Sequence, residues 1–415
     1  MANNTPKVPQ IRFKGFTDAW VKRKLGECAT FSKGIGYSKN DLIKSGTPII
    51  LYGRLYTKFQ IIISDIDTYV IPKKRSLYST GNEVIVPASG ETPEDIARAS
   101  FVSKLGILIG GDLNVIYPHK FLNPIVLALI ISYGNSQRNI ITKAQGKSVV
   151  HLHNYDLYDV EILFPRLKEE QEKVGRLFNE LDIIISLYKQ KHEKLQKVKK
   201  ALLEKMFPKN GDTKPQIRFK GFTDAWVKRK LGECGNTQSG IGFPNSEQGK
   251  RQGIPFFKIS DMNNIGNEIQ MQVANNYVSL EQINRKKWNP INTIPAIIFA
   301  KVGAAIMLNR KRLVTMPFLI DNNMMAYIFD YSWDVDFGYT LIETLKLYLY
   351  AQVGALPSYN SSDIENIVTN IPPLRSEQSK IGIFFKHLDE LISLYKQKHE
   401  KLQNVKKALL EKMFV

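Results

Sequence analysis

The chain has 415 residues, 43% of them hydrophobic and 10% aromatic, a composition that excludes a disordered chain and leaves room for two or three domains with real cores. A formal net charge of +19 points to a polyanionic partner, with an incidental basic surface as the alternative. The N-terminus lacks the apolar stretch of a signal peptide, and the longest apolar run, Ile125–Ile131, is far short of the roughly 20 residues that span a bilayer, so a cytoplasmic protein is expected.

Taken in order, the first notable segment is Pro9–Cys28, PQIRFKGFTDAWVKRKLGEC, which recurs unchanged at Pro215–Cys234. It carries the only two cysteines, Cys28 and Cys234, which read as passengers of a duplication rather than a disulfide or metal pair. After each copy comes a region that differs strongly from its counterpart, Ala29–Phe164 and Gly235–Ile371, yet keeps a thin skeleton. Gly34-Ile35-Gly36-Tyr37 matches Gly240-Ile241-Gly242-Phe243 as a turn beside an aromatic. A β-rich run at Thr47–Tyr52 matches Ile254–Ile259, and a strand ending in a glycine turn at Glu83–Gly90 matches Ala296–Gly303. Helix-like segments follow at Asn123–Ser132 and Gly338–Ala351, then loops at Ala144–Ser148 and Val353–Ser358. Each region reads as an α+β globule of short strands with a few helices. A shared frame with divergent filling is what recognition modules with different targets would show; drift after duplication is the alternative, but drift would not spare the flanks so completely.

Next come two long helices. Leu181–Phe207 and Leu388–Phe414 differ only at Ile183/Glu390, Ile184/Leu391 and Lys197/Asn404, and neither contains Pro or Gly. Apolar spacing extends each helix upstream, to about Lys168 and Ser376, with Pro165, Pro372 and Pro373 as stops to the preceding strand. A heptad seam of Leu181, Tyr188, Leu195 and Leu202, matched by Leu388, Tyr395, Leu402 and Leu409, calls for a partner helix, with Ile184, Val198, Leu391 and Val405 on intermediate turns. The linker Pro208–Gln216 reaches ~30 Å at most, against ~57 Å for a helix from Lys168 to Lys205. The second helix is therefore expected to return antiparallel, giving two globules on a helical spacer with pseudo-two-fold symmetry.

Catalytic signatures are missing. Gly146-Lys147-Ser148 has Ile141 where a phosphate-cradling loop needs glycine, Asn123-Pro124-Ile125-Val126 falls short of an amino-methyltransferase motif, and His151 with His153 has neither a counterpart in the second half nor a cysteine cluster to complete a metal site. What remains is a set of basic, aromatic and amide-bearing loop residues suited to phosphate oxygens and base edges. In the first region these candidates are Lys33, Tyr37, Lys39, Arg54, Tyr56, Lys58, Lys73, Lys74, Arg75, Lys143, Gln145, Lys147 and Ser148. In the second they are Lys250, Arg251, Lys258, Asn263, Asn264, Lys301, Arg310, Lys311, Arg312, Ser358, Tyr359 and Asn360. Two basic globules on a fixed spacer fit a bipartite duplex target, whose half-sites on one face lie ~34–36 Å apart or a multiple of that.

These residues resemble the specificity subunit of type I restriction–modification systems over essentially the whole chain. The likeness rests on Trp20–Glu27 and its copy Trp226–Glu233, on Pro165-x-Leu167-x-x-Glu170-Gln171 and Leu374-x-x-Glu377-Gln378 at the start of the helices, and on the closing LDxxISLYKQKHEKLQxVKKALLxKMF blocks. The resemblance implies target recognition domains at 1–165 and 217–373, spacer helices at 166–207 and 374–415, and a linker at 208–216. It implies double-stranded DNA as target, two modification (methyltransferase) subunits docked on the helices, and restriction (translocase/nuclease) subunits in the full complex. S-adenosylmethionine, Mg2+ and ATP are then expected on those partners and no cofactor or catalytic residue on this chain. A coiled-coil scaffold with an incidental basic surface, and an enzyme with a dispersed active site, are the competing readings.

Overall fold

The structure is a computed structural model that describes residues 8–146, 149–209, 211–352, 354 and 356–414. Contacts divide it into two compact units, one built from 1–189 with 397–415 and the other from 190–396. Both division points fall inside the long helices, so each unit holds part of each helix.

In unit 1, Val21–Lys24 pairs antiparallel with Glu161–Phe164. A five-stranded sheet has the order Ala29–Lys33, Leu113–Pro118, Glu83–Pro87, Ser100–Val102, Ile62–Ile63, and a four-stranded sheet the order Tyr69–Val70, Thr47–Ile50, Leu105–Ile109, Tyr78–Thr80. Unit 2 repeats the plan. Val227–Lys230 pairs with Val368–Ile371; one sheet runs Gly235–Ser239, Met324–Phe329, Ala296–Ala300, Lys311–Val314; the other runs Tyr277–Val278, Ile254–Phe257, Leu319–Ile320. In both units the second sheet contains a parallel pair, Thr47–Ile50 with Leu105–Ile109 and Ile254–Phe257 with Leu319–Ile320. The central strands Glu83–Pro87 and Ala296–Ala300 are buried at every position, because both faces are covered, and so read as continuous apolar runs rather than alternating ones. The helix expected from Gly338 begins earlier, at Val335, where the Asp334 carboxylate accepts from Phe337 N at 3.1 Å, and ends at Thr344.

The long helices span Lys168–Met206 and Arg375–Met413, 39 residues each. Within unit 1, Lys406 pairs with Asp182 and Lys398 Nζ lies 5.7 Å from the Tyr188 ring centre; within unit 2, Lys199 pairs with Asp389 and Lys191 Nζ lies 5.4 Å from the Tyr395 ring. In each set, rising numbers on one helix meet falling numbers on the other, so the pairing is antiparallel. The heptad seam needs one correction. Leu181, Tyr188, Leu195, Leu202, Leu388, Tyr395, Leu402 and Leu409 lie on the covered face, but Ile184, Val198, Leu391 and Val405 are each about two-fifths exposed. The second covered row is instead Phe178, Ile185, His192, Lys199, Met206 and its copy Phe385, Ile392, His399, Lys406, Met413. A polar residue on two of its turns hides this row from a hydrophobic count, although it keeps the alternating three- and four-residue steps of a seam.

The glutamate–glutamine pair at the start of each helix is structural. Glu170 accepts from Arg12 at 2.6 and 2.8 Å and from the Trp20 indole at 3.4 Å; Glu377 accepts from Arg218 at 2.6 and 2.8 Å and from Trp226 at 3.3 Å. Gln171 takes Asn123 N and donates to Pro165 O, while Gln378 takes Asp334 N and donates to Pro372 O. These buried contacts tie each copy of the repeated Pro9–Cys28 segment to the Glu-Gln pair at the start of its helix. The helix ends complete the cores: Leu410, Met413 and Phe414 in unit 1, Met206 and Phe207 in unit 2. No helix among the described residues is long and apolar enough to cross a membrane.

Candidate nucleic-acid interface

The two glycine turns are places where the chain steps from one sheet to the other. After Ala29–Lys33, Gly34 N donates to Leu113 O and Ile35 N to Ile109 O; after Gly235–Ser239, Gly240 N donates to Met324 O and Ile241 N to Ile320 O. A Cβ at Gly34 would stand 1.8 Å from Gly110 O, and one at Gly240 1.8 Å from Asp321 O, so only glycine fits the crossing. The aromatic three residues after each crossing glycine, Tyr37 or Phe243, lies against a basic side chain in each unit. Lys73 Nζ lies 4.7 Å from the Tyr37 ring centre and 2.6 Å from Asp41; Lys258 Nζ lies 5.7 Å from the Phe243 ring, itself stacked on Phe256 at 3.7 Å.

A second shared frame lies at the loops after the helices. Gln145 and His151 exchange backbone hydrogen bonds of 3.1 and 2.8 Å, and Gln352 N donates to Ser358 O at 2.9 Å. Leu152 N donates to Ala88 O and Tyr359 N to Lys301 O. His153 N and Asn360 N each donate to the carboxylate three residues on, Asp156 and Asp363, at 2.9 and 2.8 Å. The loop backbones, 145–156 and 352–363, therefore correspond at a constant offset of 207, and the side chains do not. Where unit 2 has Ser358, Asn360 and Ser362, unit 1 has His151, His153 and Tyr155 in a ring stack: 6.3 Å and 4° between the imidazoles, 5.1 Å and 26° between His153 and Tyr155. Asn154 Nδ2 donates to Ser32 O at 2.9 Å, tying this stack beside the strand end that carries Lys33.

The sequence candidates separate into two groups. Lys33, Lys39, Lys58, Lys73, Lys74, Arg75, Gln145, Lys250, Arg251, Asn263 and Asn360 are exposed, and Lys143, Lys258, Asn264, Lys301, Arg310 and Ser358 are half-buried. Several already hold neighbours: Lys58 with Asp67, Arg310 with Asn263, Asn264 with Asn275. Lys147 and Ser148 lie outside the described residues. Six others are turned inward, contrary to expectation. Arg54 is buried, its guanidinium held by Asp67, Gln60 and Asp65 O. The Tyr56 hydroxyl donates to Ser89 O, and burial pushes its ionisation far up. Tyr37 and Tyr359 are buried, the latter against Phe299. Lys311 reaches Leu345 O at 2.5 Å and Glu343 O at 3.5 Å, at the C-terminal end of Val335–Thr344, where helix carbonyls need donors, and burial lowers its pKa to about 8. Arg312 donates to Asn267 O and Lys311 O, and burial lowers its pKa too. A basic triplet on a strand sends alternate residues to opposite faces, which a count of charges does not reveal.

Sequence reading set His151 and His153 aside as an incomplete metal site and did not single out Tyr155; aligning the two loops at the 207 offset pairs the three with Ser358, Asn360 and Ser362. Among the described residues no group of three or more His, Cys, Asp or Glu is placed to hold a metal ion.

Comparison with known proteins places these features in a family. The model of the type I restriction modification DNA specificity domain matches the chain twice, at residues 17–197 and 223–404. Among Methanocaldococcus jannaschii proteins, the chain is 22% identical to the type I restriction enzyme MjaVIII specificity subunit, over 79% of this chain and 77% of that one. It is 23% identical to the putative type I restriction enzyme MjaX specificity subunit, over 95% and 88%. The fold is similar to the crystal structure of a type I restriction–modification S subunit from M. genitalium, with a TM-score of 0.66 and 16% identity over 98% of this chain and 99% of that chain.

Proposed function

Because the chain belongs to the type I restriction–modification DNA specificity family and is the specificity subunit of such a system, we propose that unit 1 reads one half of a bipartite, interrupted duplex target and unit 2 the other. In this reading the long helices fix the gap between the halves and dock two modification subunits, and restriction subunits join in the full complex. This chain contributes binding and no bond-making step; S-adenosylmethionine, Mg2+ and ATP belong to its partners. The observation that carries the reading is the duplication itself: two units with a shared core strand order (to which unit 1 adds an edge strand in each sheet), one glycine crossing and one loop frame, filled with different surface side chains. A formal net charge of +19 supplies the sequence-independent attraction to phosphates that such a reader needs.

The test is methylation mapping of a host carrying this chain with its modification subunits. A two-part motif is expected, and replacing residues 29–164 with the equivalent region of another family member should change one half only. A change in both halves would defeat the division of labour. Incubation of the pure chain with duplex DNA, Mg2+ and S-adenosylmethionine should leave the DNA unmodified and uncut; cleavage or methylation by the chain alone would replace this reading with an enzymatic one.

A further inference from the structure

We infer that positions 151, 153 and 155 of unit 1, with their counterparts 358, 360 and 362 of unit 2, are specificity-determining positions that read base edges, so that His151, His153 and Tyr155 govern the first half of the target. The inference rests on the DNA-specificity reading above. Three observations bear on it. The backbone at both places is held by the same hydrogen bonds, from Gln145 or Gln352, Ala88 or Lys301, and Asp156 or Asp363, so the frame does not depend on which side chains it presents. Alternate residues along an extended segment face the same way, which puts positions 151 and 153 together and lets the next turn add 155. The filling changes completely between the units, from two imidazoles and a phenol to hydroxyl, amide and hydroxyl.

The second observation is exposure. His151 and His153 are exposed and Tyr155 is 63% exposed, so the three-ring stack is not part of a core. His153 and Tyr155, with ring centres 5.1 Å apart, restrict each other's rotamers before any ligand arrives, and such ordering in advance lowers the entropic cost of binding. Ring nitrogens and a phenol oxygen then offer donors and acceptors side by side on one exposed face, which suits the pattern of donors and acceptors along a duplex groove.

The third observation is a cation kept in place. In unit 1 the neighbouring strand ends in exposed Lys33. Unit 2 has Ser239 at that position, but Lys301, from the strand position where unit 1 has Ala88, puts its Nζ 3.0 Å from Ser239 Oγ. The charge beside the frame is thus retained although a different strand supplies it, as expected of a phosphate contact that positions a variable reader.

The experiment grafts one unit's residues onto the other: His151→Ser/His153→Asn/Tyr155→Ser, and the reciprocal Ser358→His/Asn360→His/Ser362→Tyr, each in the full chain with its modification subunits. Each graft uses side chains that the same frame already carries, and Tyr155→Ser alone serves as a milder variant. Methylated motifs are mapped by sequencing, and the full chain is run through selection from random duplexes at two salt concentrations. The first graft should change or relax the first half-site, with roughly tenfold or greater loss of discrimination there, and leave the second half intact; the reciprocal graft should do the opposite. Unaltered motifs would overturn the inference. So would affinity falling equally for all sequences, because that result places the residues on the phosphate backbone alone. A native complex that marks no two-part site would instead overturn the reading of function, and this inference with it.

Discussion

Asp389 Oδ1 lies 2.6 Å from Lys199 Nζ, and the same pair recurs 207 positions out of step between Asp182 and Lys406. In unit 2 Lys199 is also reached by Glu343 at 2.6 Å, so one lysine serves two carboxylates on a mostly buried face. Burial is the larger influence on Asp389: it raises the carboxyl to about 6, against the pull of Lys199. The folded state therefore holds this proton more tightly than the unfolded chain. Stability from this group is present at low pH and lost as pH rises from about 4 to about 6, after which it levels off. Replacing Asp389→Asn should remove this slope, so the stability difference between native and variant should change by about 2–3 kcal/mol across that window. Denaturant unfolding at pH 4 to 6.5, followed through a unit 2 tryptophan, measures it; parallel curves would show that Asp389 is ionised throughout.

Phe414 closes the core of unit 1, with ring centres 5.8 Å from Phe178 and 6.3 Å from Trp20; Phe207 occupies the equivalent place in unit 2, 5.8 Å from Trp226 and 6.1 Å from Phe385. Each is nearly inaccessible to solvent. Phe414→Ala should cost about 3–5 kcal/mol in unit 1, and Phe207→Ala the same in unit 2. Hydrogen exchange resolved by peptide reads the two units separately. Each substitution is expected to speed exchange in its own unit; uniform loosening of both by either change would contradict the assignment.

Much of this architecture was legible because repetition is explicit in the sequence. Strands Glu83–Pro87 and Ala296–Ala300, the glycine turns and the antiparallel helices were expected from paired motifs and from a linker too short to run back along the first helix, whereas the step of each turn from one sheet to the other was not. The second row of the helix seam was not legible, because His192, Lys199, His399 and Lys406 break its apolar pattern while still occupying covered positions. The site was less legible still. Lys311 and Arg312 look like surface charge until the strand turns one toward helix carbonyls and the other toward Asn267 O. His151 and His153 look like half a metal site until the fold sets their parallel rings on one exposed face beside Tyr155. Motif reading takes each segment singly, and these residues acquire meaning only from the equivalent place in the other unit.

The basic triplet Lys73-Lys74-Arg75 separates by geometry. Lys73 is held by Asp41 and the Tyr37 ring, and its backbone N–H donates to the Tyr37 hydroxyl at 2.6 Å, whereas Lys74 and Arg75 are exposed on the turn, Arg75 at φ +64°. Substituting Lys74→Ala/Arg75→Ala should lower the slope of log K against log salt by up to about 2, at ~0.9 per phosphate contact, without altering the sequence preferred. Binding titrations between 50 and 200 mM salt (a range in which such contacts are strongly weakened) test this. An unchanged slope would remove the turn from the DNA.

Glu170 accepts three donors with two oxygens: Arg12 Nε, Arg12 Nη2 and Trp20 Nε1, all within a nearly sealed site. The arginine fork matches a carboxylate in plane, and its hydrogen bond to Glu170 raises the guanidinium pKa further, so Arg12 stays charged. Glu170→Gln keeps the shape but replaces one acceptor oxygen with a donor NH2 that faces the arginine, leaving a buried cation without its counter-charge. The expected loss is about 3–5 kcal/mol. Arg12→Lys keeps the charge but loses the fork, and should cost less, about 1–2 kcal/mol. Glu377→Gln and Arg218→Lys should reproduce both values in unit 2, since Arg218 makes the same 2.6 and 2.8 Å contacts. Unit-resolved hydrogen exchange or denaturant melts give the ordering. If the glutamine variants proved as stable as the native chain, the repeated Pro9–Cys28 segment would owe its identity to something other than this clamp.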